Sequence, residues 1–231
     1  MALVICHSAL GHPADQSEMR VKPEPHKLDI RLTFNIFTLT RFVRIDTDGD
    51  AKISMAELKA AEAGITDYLN KHVLIEINQQ EAALGSSARF DPLWPNAEKT
   101  EPMADVEYAA RNVDVTFVLP VEGRLLEDFW IGFEIFEQTG PLQTIRGIYE
   151  QDGQITEVPF SAQEPEYLYD TGFADDPFVQ AAEKKAVKPS GENRWWMLRA
   201  VVLIILLVVG RTIHLTALSR RTSARRRRTS R

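Results

Sequence analysis

The segment from Asp46 to Glu57 carries oxygen-bearing groups at its first, third, fifth, seventh, ninth and twelfth positions. In order, these groups belong to Asp46, Asp48, Asp50, Lys52 (through its backbone carbonyl), Ser54 and Glu57. This is the spacing with which an EF-hand loop surrounds a calcium ion with roughly six to eight oxygens. Carboxylates held this close together repel one another, and a chelated cation turns the repulsion into attraction. The sequence therefore predicts a Ca²⁺ site formed by these six residues.

The residues on either side of the loop agree with a helix-loop-helix unit over residues 39–70. An apolar-periodic segment enters the loop at 39–45, and Ser54 with Glu57 forms a capping box that opens an exiting helix over 54–70. The sixth loop position, where glycine is usual, holds Ala51. A left-handed alanine costs roughly 1 kcal/mol relative to glycine, so we expect a weakened calcium site. The sequence reveals no second loop, which favours a structural calcium clip over a paired sensor.

Period-two alternation of apolar residues predicts the strands that must position this unit. Leu28, Ile30, Leu32 and Phe34 alternate with polar residues, and similar patterns predict strands at 72–79, 113–119, 129–137, 143–150 and 155–160. A hairpin turn is predicted at 151–154 and a long loop at 85–103. We therefore expect an α+β fold, mainly an antiparallel β-sandwich, with an immunoglobulin-like arrangement as one option. The EF-hand would be a helical insertion after the first strand.

Charge is distributed very unevenly along the 231 residues. All 33 acidic residues lie at or before Glu192, and eight of the 27 basic residues lie after Gly210. The first 210 residues thus carry a formal charge of −14 and the last 21 carry +8. An acidic body suits a hard cation and argues against nucleic acid as a partner.

The basic end follows an apolar segment, which predicts a single transmembrane helix at 195–218. Its uninterrupted apolar run, Ala200 to Gly210, is shorter than the ~20 residues that span a bilayer, but Arg199 and Arg211 could extend outward to the interfaces. Residues 219–231 would then be a cytoplasmic tail, lying on anionic lipid headgroups, with the acidic body extracytoplasmic. A buried core helix and an arginine-rich end without function are the alternatives.

The remaining boundaries follow from the same membrane topology. Residues 1–11 resemble the remnant of an export signal, the alternative being an unstructured terminus. Residues 12–171 form the expected extracytoplasmic β-domain, and 172–194 form a tether that holds it away from the membrane. The single cysteine, Cys6, leaves no disulfide framework.

Other residues with ligating or catalytic chemistry are sparse. His12, if it became the N-terminal residue, could chelate Ni²⁺, Co²⁺ or Cu²⁺ together with His26. No spacing of nucleophile, base and orienting group is recognisable, and no glycine-rich phosphate loop. We therefore expect the protein not to be an enzyme.

Several short runs resemble the extracytoplasmic N-terminal region of bacterial membrane proteins of the HupE/UreJ type, a family associated with nickel or cobalt uptake. They are His12–Asp15, Ser17–Arg20, Arg31–Asn35, Thr38–Phe42, Asp46–Asp50 and Ala56–Leu58. The resemblance covers roughly residues 12–80, and it implies an early strand and an EF-hand-like loop on the outer side of a membrane. The multi-helix permease of that family has no counterpart here, so the resemblance does not imply transport.

Taken together, the sequence predicts a membrane-anchored, extracytoplasmic calcium-binding protein with a binding or accessory role. Its partners would be membrane lipid and an unidentified membrane or extracytoplasmic protein. The alternative is an accessory component of nickel or cobalt transport or metal handling.

Overall fold

The computed structural model describes residues 15–186 of the chain. Within that range the strands are β1 Gln16–Glu24, β2 Lys27–Asn35, β3 Lys52–Ile53, β4 Val73–Ile77, β5 Gln80–Ala82, β6 Arg89–Pro92, β7 Met103–Ala104, β8 Asn112–Pro120, β9 Asp128–Phe133, β10 Thr144–Gln151, β11 Gln154–Phe160 and β12 Glu166–Asp170. The α-helices are α1 Ile36–Phe42, α2 Met55–Ala60, α3 Glu62–His72, α4 Asp105–Tyr108, α5 Phe136–Thr139 and α6 Pro177–Ala186.

The largest sheet has six strands in the order β11-β10-β1-β2-β8-β6. Its long central strands place alternate residues inward, and Met19, Ile30 and Phe117 among them are fully buried. Every pair is antiparallel except β1 with β10, which run parallel although 128 residues separate partners such as Glu18 and Arg146. Parallel strands must be joined by a long connection, and here residues 25–143 form it.

A second sheet, of four antiparallel strands in the order β12-β9-β4-β5, shares its core with the first. Phe133 of β9 meets Phe160 of β11 edge to face, with ring centroids 5.0 Å apart. Tyr149 of β10 stacks on Tyr169 of β12 at the same centroid distance. These contacts join the inner faces of the two sheets, and the α+β class with mainly antiparallel sheets is confirmed.

The position of the helical insertion differs from the prediction. It follows the second strand, because β1 precedes the strand that the sequence pattern identified as the first. In β1 one buried inward position is Ser17, and only Met19, Val21 and Pro23 are apolar. The period-two signal of this strand was therefore too weak to recognise.

The exiting helix, predicted as one unit over 54–70, is divided into α2 and α3. The residue between them, Ala61, keeps right-handed helical angles (φ −77°, ψ −12°) and donates its N–H to the carbonyl of Glu57. Leu58, Ile65 and Leu69 are nonetheless fully buried, whereas Met55 at the start of α2 is only partly buried. Phe42 of α1 stacks on Tyr68 of α3, at 4.3 Å between ring centroids, so the two helices on either side of the loop are packed together.

Two segments predicted to lack regular structure contain some. The loop expected over 85–103 includes β6, a single 3₁₀ turn at Ala97–Lys99 and the start of β7. The tether expected over 172–194 contains α6. The strand predicted over 129–137 is β9, which ends at Phe133, and α5 follows it from Phe136.

The chain divides into two units, residues 1–180 and residues 181–231. The first holds both sheets and the insertion, whereas the second is described only for the end of α6. No helix among residues 15–186 is long and apolar enough to span a bilayer. The predicted signal remnant (1–11), transmembrane helix (195–218) and basic tail (219–231), together with His12, lie outside the described residues.

Candidate metal site

The loop begins where α1 ends against the core. Asn35 caps α1 by accepting a hydrogen bond from the Thr38 N–H at 2.8 Å, and Val43, after the last helical residue, is extended. The side chain of Ile45 is almost fully buried and anchors the start of the loop. Arg44 Nε donates to the backbone carbonyl of Asp46 at 2.8 Å. The first candidate ligand is therefore held by its backbone while its carboxylate stays partly exposed.

Three carboxylates of the loop converge. Asp46, Asp48 and Asp50 can each place one oxygen within 4.8 Å of the others. Backbone N–H groups hold them in this position, because Asp46 accepts from Gly49 (2.7 Å) and Ala51 (3.1 Å). The other two follow the same pattern: Asp48 accepts from Asp50 N at 3.1 Å, and Asp50 from Lys52 N at 2.8 Å. The loop thus curls around its own acidic side chains.

The sharp turn at the sixth position is present in spite of its alanine. Ala51 has φ of 60°, the left-handed conformation that the loop spacing predicted for this residue. Gly49, two positions earlier, is also left-handed at φ 78°. The backbone therefore pays a conformational cost at Ala51 that glycine would avoid.

Glu57 closes the loop but does not join the aspartate cluster. Its Oε1 accepts from both the N–H (2.9 Å) and the hydroxyl (3.0 Å) of Thr47, at the opposite end of the loop. Its Oε2 accepts from the N–H (3.0 Å) and hydroxyl (2.9 Å) of Ser54, whose Oγ in turn accepts from Glu57 N. The predicted capping box is confirmed.

Those hydrogen bonds keep Glu57 charged. The donors of Ser54 and Thr47 lower the pKa of Glu57 to about 2, with the Ser54 backbone N–H as the largest contribution. The carboxylate is therefore ionised at neutral pH. The loop therefore carries a fourth negative charge at its twelfth position, outside the cluster of three aspartates.

The other two predicted ligands, Lys52 and Ser54, flank a short strand. Lys52 lies in β3 and pairs with Ala104 of β7, while Ile53 pairs with Met103. Ile53 and Met103 are both buried, so this two-residue bridge attaches the loop to the core. Of the six predicted ligands, the structure brings together the carboxylates of Asp46, Asp48 and Asp50. Glu57 is hydrogen-bonded instead to Thr47 and Ser54. Lys52 lies in β3, and Ser54 lies between β3 and α2.

Sequence reasoning did not identify the segment that lies against the loop. Besides β7, it includes Tyr108, whose pKa is raised by burial and by the negative charges of Asp46, Asp105, Asp50 and Glu57. A signal for this neighbour exists in the sequence: the spacing from Ile53 to Glu57 recurs from Met103 to Glu107.

The described histidines do not gather near the loop's carboxylates. His26 Nδ1 is 3.0 Å from the carbonyl oxygen of Arg124. His72 packs against the ring of Tyr68 and has its Nδ1 3.8 Å from Glu134 Oε2. Among residues 15–186, the group of side chains able to hold a metal is the aspartate cluster.

A comparison with models of known protein families finds no match to this chain, and a comparison with curated proteins finds no relative.

Proposed function

We propose that the loop from Asp46 to Glu57 binds Ca²⁺ and that this is the protein's ligand chemistry. The observation that supports it best is the convergence of Asp46, Asp48 and Asp50 within 4.8 Å in a loop wound by their own backbone N–H donors. Carboxylate and carbonyl oxygens are the ligands of hard cations. The number of candidate oxygens favours Ca²⁺ over Mg²⁺, which requires a tighter octahedron and retains several waters.

We further propose that calcium acts as a structural clip. The loop is attached to the core on both sides, by Ile45 before the aspartates and by Ile53 and Leu58 after them. A cation that draws Glu57 toward the aspartates would tie the start of α2 to the end of α1. Phe42 of α1 already stacks on Tyr68 of α3, the helix that follows α2. Such a clip stabilises the fold by mass action without exposing a groove.

The wider role that fits these features is a membrane-anchored, extracytoplasmic calcium-binding protein that acts in binding or as an accessory to another protein. A weakened loop would still fill outside the cytoplasm, where extracellular calcium modules work at dissociation constants of roughly 10⁻⁴–10⁻³ M. The two sheets that share one core support the predicted β-sandwich, and the immunoglobulin-like arrangement within it stays a prediction.

Isothermal titration of the full-length chain with Ca²⁺ tests the proposal. We expect saturable binding of one ion, and a loss of affinity of at least about tenfold in Glu57→Gln, because the amide removes one of the ligand charges that set affinity. Glutamine keeps the capping geometry, so the variant should stay folded. Asp67→Asn, an equal charge change on the exposed side of α3, serves as the matched control and should leave the affinity unchanged.

Titration with Ni²⁺ and Co²⁺ in the same series separates the alternative role in nickel or cobalt handling. That role predicts tight binding of these ions that is lost in His12→Ala and unaffected by Glu57→Gln. The absence of calcium binding in the unmodified chain would refute the calcium proposal.

A further inference from the structure

The segment opposite the calcium loop repeats the local architecture of the loop's second half. The two buried partners of the β3–β7 bridge, Ile53 and Met103, lie directly opposite each other. Two residues after each of them a helix begins, α2 at Met55 and α4 at Asp105. Four residues after each of them stands a glutamate, Glu57 or Glu107. A strand, a helix start and a glutamate thus follow one another at the same spacing on both sides of the bridge.

The two glutamates cap their helices in the same way. Glu57 Oε2 accepts the N–H of Ser54, the residue before α2, at 3.0 Å. Glu107 Oε2 accepts the N–H of Ala104, the residue before α4, at 3.1 Å. Alanine has no oxygen to return the bond, so α4 keeps only the glutamate half of the capping box. The resemblance between the two halves therefore includes hydrogen bonds as well as spacing.

The two halves differ in what neutralises the glutamate. The second oxygen of Glu107 accepts from Arg111 Nη2 at 3.1 Å, and this guanidinium also lies over the ring of Trp94, at 5.6 Å from its centroid. The residues that precede β7 contain a 3₁₀ turn and Pro102, in place of three spaced aspartates. The carboxylate of Glu107 thus has its positive partner within the chain, and this half needs no cation.

The same segment also contacts the entering helix. The carbonyl oxygen of Arg111 accepts the N–H of Ile36, the first residue of α1, at 2.9 Å. That N–H is one of those that a helix start leaves without an intrahelical partner. Residues 103–111 therefore contact the loop through the bridge at Ile53, and they contact the helix that enters the loop at the first residue of α1.

We propose that residues 103–111 are a metal-free partner segment, or mate, of the Asp46–Glu57 loop. This mate positions Ile53 and Glu57 for calcium binding. This inference rests on the proposed calcium function and deepens it, because it assigns the pairing role of a second EF-hand to a segment that binds no ion. Glu107 and Arg111 are positioning residues in this scheme. Binding of the ion and order in the mate are then linked, and each must stabilise the other.

Calcium titration of two full-length variants tests the mate. Glu107→Ala removes the cap of α4 and the partner of Arg111, and we expect it to weaken calcium binding about fivefold, as the loss of a helix cap would. Glu101→Ala removes the same charge from an exposed position just before β7 and should change the affinity less than about twofold, within the range of surface substitutions. Equal affinities in the two variants would overturn the proposal while leaving the calcium function intact.

Hydrogen exchange in the unmodified chain gives a second test that does not depend on a variant folding. We expect calcium to slow exchange of the amides in β7 and α4 together with those of the loop, and to leave β11, at one edge of the six-stranded sheet, unchanged. Protection confined to the loop would overturn the mate. If the chain bound no calcium at all, the proposed function itself would fail.

Discussion

At the scale of single residues, Ala51 sets the quality of the loop. It occupies a left-handed conformation, φ 60°, that an L-residue adopts at a cost and glycine adopts freely. Two hydrogen bonds depend on that turn: Ala51 N donates to the Asp46 carboxylate, and Lys52 N donates to the Asp50 carboxylate. The strain at one backbone position is thus connected directly to the placement of two candidate ligands.

Replacing Ala51 by glycine should strengthen both the fold and the site. We expect the free energy of unfolding of Ala51→Gly to rise by up to about 1 kcal/mol, and calcium affinity to rise by up to about fivefold, because glycine removes the strain of φ > 0. Urea denaturation and calorimetric titration measure the two quantities.

Ala63→Gly provides the control for this substitution. Ala63 lies exposed within α3, where glycine costs about 0.5–1 kcal/mol relative to alanine. The control should therefore be destabilised, with unchanged calcium affinity. If both glycine variants lost stability, the left-handed strain at Ala51 would not be the explanation of the weakened loop.

At the scale of elements, Gly147 marks a place where β10 and β11 are packed closely together. A Cβ added there would lie 2.6 Å from Phe160 Cε2 and 3.0 Å from the carbonyl oxygen of Val158, both on β11. Phe160 is fully buried and meets Phe133 of the second sheet, so it has little room to move. The absence of a side chain at Gly147 leaves room for the ring of Phe160, which packs over β10 and against Phe133 of the second sheet.

A side chain at Gly147 should therefore be costly. We expect Gly147→Ala to lower the free energy of unfolding by roughly 1–3 kcal/mol, the usual cost of overpacking a core. Thr156→Ala on the exposed face of β11 is the control, and it should change stability by less than about 0.5 kcal/mol. Chemical denaturation followed by tryptophan fluorescence measures both, and equal stabilities would mean that β11 moves aside without penalty.

At the scale of the whole molecule, the separation of charge is the dominant feature. The formal charge is −14 over the first 210 residues and +8 over the last 21. In the proposed orientation, an acidic body on the outer side would concentrate divalent cations near the loop, and arginines beside an apolar segment would favour the cytoplasmic side. The proposed calcium site and the proposed anchor thus rely on the same asymmetry.

A protease-protection experiment on intact cells tests this orientation. Protease added outside should digest the body and leave an epitope at the C-terminus intact until detergent is added. Ile205→Arg places a charge in the middle of the apolar run, at a cost of about 2.5–3.5 kcal/mol, and should release the protein from the membrane fraction. An unmodified full-length chain that stays entirely in the soluble fraction would contradict the anchor.

The sequence alone determined the candidate loop because the hydrogen bonds that hold its acidic side chains are local. The aspartates, Ser54 and Glu57 accept hydrogen bonds from donors no more than ten residues away, and Ala51 is one of those donors. The alternation in β2 likewise predicted its inward face, since side chains on a strand alternate by geometry alone.

Only the tertiary structure decided which strands pair and what lies against the loop. Period-two alternation states which face of a strand is buried but does not identify the neighbouring strand, so the parallel pairing of β1 with β10 was not predicted. The bridge between Ile53 and Met103 joins residues 50 positions apart. Such contacts depend on how the whole core packs, and for that reason the mate of the loop became visible only in the fold.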